Sequence, residues 1–190
     1  MKKRKRIKNN KMKKIKIALL SLVSLLILIV LIPILINLIS NPYKEPKEFV
    51  TNKTFVSDSD IFFKYETSKY PSNAEITSSK NLNESITLGF VVDPWNLNFG
   101  IVPSGERNLV KRYIELTNSK NESAKINFKV YGNISPQISF SKNDFILQKN
   151  EKISIEVYFH TNDAGIGNYS GEIDVIVKRP KYNFLEKLWS

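Results

Sequence analysis

The chain has 190 residues, 42% of them apolar, a formal charge of +11 and no cysteine. Without cysteine there is no disulfide, no thiolate nucleophile and no Cys-ligated zinc, so an exterior domain has to stand on its packed core. The charge does not indicate a nucleic-acid binder. Ten of the 29 Lys and Arg precede Ile17, which leaves 19 basic against 18 acidic residues, whereas nucleic-acid recognition needs a basic face on a folded domain.

Residues 1–16 form a basic tail containing Lys2, Lys3, Arg4, Lys5, Arg6, Lys8, Lys11, Lys13, Lys14 and Lys16, with no acid among them. From 17 to 39 the only polar side chains are Ser21, Ser24 and Asn37. An uncharged apolar run of that length predicts one N-terminal transmembrane helix. Each central Leu, Ile or Val contributes roughly 0.3–0.6 kcal/mol to insertion, which outweighs the cost of Asn37 and of the kink at Pro33. Because basic flanks stay cytoplasmic, the expected topology is N-terminus inside and C-terminal domain outside, with the tail touching anionic lipid. A cleaved signal peptide is the competing reading. Against it stand the length of the apolar core and Leu38-Ile39-Ser40, which is no small-x-small cleavage site.

Residues 40–84 are polar, contain Pro42, Pro46 and Pro71 and show no sustained period, so they read as a juxtamembrane stalk. One apolar patch, Ile61, Phe62, Phe63 and Tyr65, marks a short packed strand near 61–65. Asp58 and Asp60 make a D-x-D, which without further ligands reads as solvated loop rather than a metal site.

From 85 to 179 the period is two. Ile126, Phe128 and Val130 alternate with polar residues, as do Ile153, Ile155, Val157 and Phe159, and Tyr169, Gly171, Ile173, Val175 and Val177 alternate with Ser170, Glu172, Asp174, Ile176 and Lys178. Shorter strands are expected at 86–92, 97–102, 110–117, 138–140 and 145–147, with turns at Asp93-Pro94, Gly105, Gly132 and 162–167. Trp95, at a strand entrance, reads as core or edge packing. The predicted fold class is all-β, an immunoglobulin-like antiparallel β-sandwich after the membrane helix.

The order Leu97-Asn98-Phe99-Gly100, Gly105, Tyr113-Ile114-Glu115-Leu116-Thr117-Asn118, Phe145-Ile146-Leu147 and Gly167-Asn168-Tyr169-Ser170-Gly171 resembles the immunoglobulin-like group of hydin-type (ASH), major-sperm-protein and PapD-like domains. It is similar to those carried by membrane-anchored archaeal surface proteins. The resemblance implies a binding or scaffolding module, with no catalytic residues and no cofactor to carry over. The chaperone branch is the least similar, since no basic pair is placed to clamp a client's carboxylate.

The residues themselves point away from catalysis. His160, the single histidine, falls on the outward set of its strand, and 167–171 is no G-x-S-x-G elbow. Gly165-Ile166-Gly167 lacks a phosphate loop's strand-to-helix context. Glu172 and Asp174 point the same way from one strand, as charges on a wet sheet face also do. Sequons at Asn52, Asn83, Asn121, Asn133 and Asn168 all lie on the side expected to be outside and are candidate glycosylation sites.

Residues 180–190 form an amphipathic tail in which Phe184 and Leu188, and Leu185 and Trp189, are spaced i, i+4. It covers its own domain or contacts a partner or the membrane interface, the first being preferred. The expectation is therefore a single-pass cell-membrane protein displaying a non-catalytic module, with lipid and an unidentified protein or cell-wall partner and no nucleic acid. The alternative is an accessory subunit of a membrane-embedded complex.

Overall fold

The computed structural model describes residues 16–17, 19–32, 35, 46–78, 96–105 and 109–187. The chain divides into two units, Met1–Lys44 and Glu45–Ser190. In the first, residues 19–32 are helical with every side chain exposed. Among the described residues no helix is long and apolar enough to cross a membrane. The expected span of 17–39 and most of the basic tail fall partly or wholly outside them, as do the expected strand 86–92, Trp95 and Asn83.

The second unit is a mostly antiparallel β-sandwich compatible with an immunoglobulin-like architecture. Its strands among the described residues are β1 (Thr54–Ser59), β2 (Phe63–Thr77), β3 (Leu97–Pro103), β4 (Leu109–Thr117), β5 (Ala124–Gly132), β6 (Ile138–Phe140), β7 (Phe145–Leu147), β8 (Lys152–His160) and β9 (Gly167–Pro180). One sheet runs β1-β2-β9-β5-β7, with β3 beside β2, and the other runs β4-β8-β6. Among the described strands the one departure from antiparallel pairing is β3, which lies parallel to β2 with a register shift between Asn73 and Glu75.

Period-two alternation does what it should in β8, where Ile155, Val157 and Phe159 are buried and the residues between them are not. It does so again in β5 through Ala124, Ile126 and Phe128. The two inner faces meet in one core. Phe159 sits at its centre, 5.4 Å from the Phe99 ring and 6.0 Å from Tyr169, edge-on to the latter, and Phe128 stacks on Phe140 at 4.6 Å.

Two expectations are corrected. The segment read as stalk contains β1 and β2, and β2 is the longest strand of the sheet, paired with β9 from Phe63↔Pro180 to Ile76↔Gly167. Its alternation escapes notice because it changes face midway. Phe63, Tyr65 and Thr67 are buried on the outer face, whereas Ser72, Ala74 and Ile76 are buried on the core side. Pro71, which reads as a breaker, stands where β1 has ended at Lys69 and β3 has not begun before Ser72, and an interrupted edge tolerates proline.

The second correction concerns β9, whose even-numbered residues are expected in water from the alternation. Glu172, Asp174 and Ile176 are buried because β9 is an inner strand between β2 and β5. Side chains from both neighbours and the segment before β1 close over them.

Candidate functional site

The outer face of this sheet holds a buried polar cluster. In register across the strands, Asp174 of β9 faces Lys69 of β2 on one side and Lys129 of β5 on the other. The Lys69 Nζ lies 2.5 Å from Glu172 Oε1 and 3.1 Å and 3.4 Å from the two Asp174 oxygens. The Val50 N–H, from the chain leading into β1, donates to Glu172 Oε2 at 2.8 Å. Side-chain exposure is 0% for Glu172, 3% for Asp174 and 21% for Lys69.

Electrostatics separate the two carboxyl groups. Burial pushes Asp174 up to about 6, and the neighbouring Glu172 adds to the shift against the pull of Lys69. Burial also acts on Glu172, yet hydrogen bonds from Lys69 and the Val50 N–H hold it below the usual carboxylate range. Lys69 is likewise raised overall, because its carboxylate partners outweigh desolvation. The cluster therefore contains one acid that takes up a proton near pH 6, one carboxylate held ionised and an amine between them.

Beside Val50 opens a cleft of about 330 Å³ lined by uncharged residues, among them Phe49, Pro71, Asn73, Asn98 and Ser170. Among the described residues no group of three or more His, Asp or Glu is placed to hold a metal. The D-x-D is spent on the β1–β2 turn. Asp60 Oδ1 accepts from the Phe62 and Phe63 N–H at 2.7 and 2.6 Å and Oδ2 from the Tyr65 hydroxyl at 2.8 Å. Those bonds and nearby Lys178 lower its pKa despite burial.

His160 is on the outward face of β8, as expected, with its Nε2 2.7 Å from Ser139 Oγ on β6. Sequence reasoning missed this pair, since the two residues are 21 apart and meet only through the β6–β8 pairing. A hydrolytic triad needs a carboxylate behind the imidazole, and among the described residues none hydrogen-bonds to that ring.

Of the sequons, Asn52, Asn121, Asn133 and Asn168 are exposed. Asn133 is already engaged, its Nδ2 donating to Asn168 O at 3.1 Å and its Oδ1 accepting from the Ser170 N–H at 2.7 Å. A glycan there would have to disturb the start of β9.

The C-terminal residues turn into a short helix, Asn183–Glu186. Leu185 is buried, Phe184 is 62% exposed and Glu186 Oε1 accepts the Ser123 N–H at 2.8 Å. Leu188 and Trp189 lie outside the described residues. Leu185 thus packs on its own domain rather than facing a partner. Leu185→Ala is expected to cost about 2 kcal/mol and lower the Tm by roughly 6 °C. An unchanged melting curve would return this residue to a partner.

Among the described strands, β1 presents an open edge. All six residues of β1 are exposed, Phe55 by 65% and Val56 by 46%, and among the described strands none pairs with its outer side. By contrast, Arg112 of β4 reaches across to the Asn98 carbonyl of β3 at 2.7 Å. Comparison with protein-family models, with curated proteins and with solved structures finds no match to this chain, so the functional reading rests on its own geometry.

Proposed function

We propose that the chain is a single-pass membrane protein whose sandwich, of the hydin-type, major-sperm-protein and PapD-like kind, is displayed outside the cell as a non-catalytic binding or structural module. The observation that carries the reading is the open β1 edge. Natural sheets blunt exposed edges with charged side chains, lysine above all, with proline or with bulges, and Thr54-Phe55-Val56-Ser57-Asp58-Ser59 has no lysine, proline or bulge, its one charge being Asp58 near the far end. Such an edge accepts an extended strand from a protein partner, main-chain hydrogen bonds supplying affinity and alternate side chains supplying selectivity. The basic tail and the uncharged run of 17–39 support the anchoring and the orientation.

Protease added to intact cells is expected to remove the C-terminal domain while the tail stays protected. In mild detergent, the native chain should carry a partner that the double variant Phe55→Lys, Val56→Lys loses by at least tenfold, since an edge lysine deters strand addition. Equal retention by both chains would exclude β1 as the docking edge. Stoichiometric membrane-embedded partners retained by both would favour the accessory-subunit reading.

A further inference from the structure

Lys69, Glu172 and Asp174 have a geometry that an ordinary ion pair does not require. A surface pair gains stability while remaining hydrated, but this one sits with both carboxyl groups almost fully enclosed, where desolvation offsets much of the attraction. The amine lies within 3.4 Å of both Asp174 oxygens, and the two residues are directly opposed on β2 and β9. Effective concentrations at such separations are very high for a reaction between the two groups. We propose that Lys69 and Asp174 condense into an intramolecular amide bond, with Glu172 relaying the protons. The proposal does not depend on where the domain is displayed.

The step balances without an oxidant or a co-reactant. The Lys69 ammonium passes one proton to Glu172 Oε1, 2.5 Å away, and the freed amine attacks Cγ of protonated Asp174. Glu172 returns its proton to the departing hydroxyl, which leaves as water, and then takes a second proton from the new C–N nitrogen. Three ammonium protons and one acid proton become one amide N–H, one water and one proton that Glu172 keeps, so that it ends as a neutral acid beside the amide. The two carboxyl groups are placed for their parts, while Lys69, whose pKa its carboxylate partners raise, has to give up a proton to Glu172 before it attacks. Asp174 is the acid whose pKa burial raises to about 6, and its protonated form is the better electrophile. Glu172 remains a carboxylate able to accept a proton, held by the Val50 N–H at 2.8 Å so that its other oxygen faces the amine. The product replaces the Lys69 ammonium and the Glu172 carboxylate with a neutral amide and a neutral acid, which removes the cost of keeping those two charges out of water. It also closes a loop spanning 105 residues in a chain that has no cysteine to do so.

The test is the mass of the full chain, expressed in a host that adds no N-glycan and purified in detergent. The expected mass is about 18 Da below that of the sequence, one water lost, and a tryptic digest should yield a branched peptide joining Lys69 to Asp174. Lys69→Arg and Asp174→Ala should each restore the mass calculated for that variant, and Glu172→Gln should leave the chain unlinked. A wild-type chain at its full sequence mass, with Lys69 recovered as a free amine, would overturn the proposal even if every variant failed to fold. A loss of water elsewhere, with Lys69 free, would overturn it equally. A Glu172→Gln chain that still links would remove Glu172 from the relay.

Discussion

Gly171→Ala is expected to prevent folding of the sandwich, with a loss above about 4 kcal/mol against a total stability of the usual 5–15 kcal/mol. A Cβ on Gly171 would stand 1.9 Å from the Tyr131 carbonyl oxygen and 2.8 Å from Ile134 Cγ2. The first obstacle is backbone and cannot swing aside. Gly171 pairs in register with Gly132 of β5, whose own φ is +91° and whose missing Cβ would lie 2.4 Å from the Ser170 carbonyl oxygen. Two glycines thus let β5 and β9 approach where Ile134, fully buried, folds back over them. Any β-carbon separates the strands there and forfeits pairing at an inner position of the sheet. Gly165→Ala is the control, because a β-carbon added there would meet nothing within 4 Å. Its chemical denaturation midpoint should match wild type, whereas Gly171→Ala should be recovered unfolded or aggregated.

The second large effect is expected at Asn118. This side chain is completely buried. Its Nδ2 donates to the carbonyls of Glu122, Leu147 and Gln148 at 2.9, 3.3 and 3.0 Å, and its Oδ1 accepts from Arg179 Nη1 at 2.8 Å and the Lys120 N–H at 3.3 Å. One amide therefore ties the turn after β4, the end of β7 and the last residues of β9. Asn118→Ala leaves buried carbonyls and a guanidinium short of partners, and about 3–4 kcal/mol of stability should be lost. In a double-mutant cycle, Arg179→Met in the Asn118→Ala background should cost less than it does alone, since the guanidinium has already lost the amide oxygen and keeps its contact with Glu66 at 3.6 Å. Strict additivity would show that the two side chains do not depend on one another.

What the sequence makes legible follows from where each strand lies. β5, β8 and the core face of β9 keep one parity over their length, so Phe128, Val157 and Val175 announce themselves by alternation. β6 and β7, three residues each, are marked by the turns around them. β2 is hidden because its buried parity reverses between Thr67 and Ser72, and two half-length patterns out of phase look like no pattern. The polar cluster is hidden for a different reason. Glu172 and Asp174 are visible as a same-face pair, but their burial depends on β9 being an inner strand, and the partner Lys69 lies more than a hundred residues earlier. Local spacing carries no information about a neighbour supplied by topology.

The β2–β9 pairing also determines how the domain responds to tension. Phe63 and Pro180 are opposite one another at the same end of an antiparallel ladder, with hydrogen bonds lying across the strand direction. A pull between the two chain ends, once β1 has peeled away, loads these bonds one rung at a time, like opening a zip, instead of shearing them together. Rupture under such a load should begin at low force and advance until it reaches the rung formed by Lys69 and Asp174, where a covalent tie would bring it to a halt.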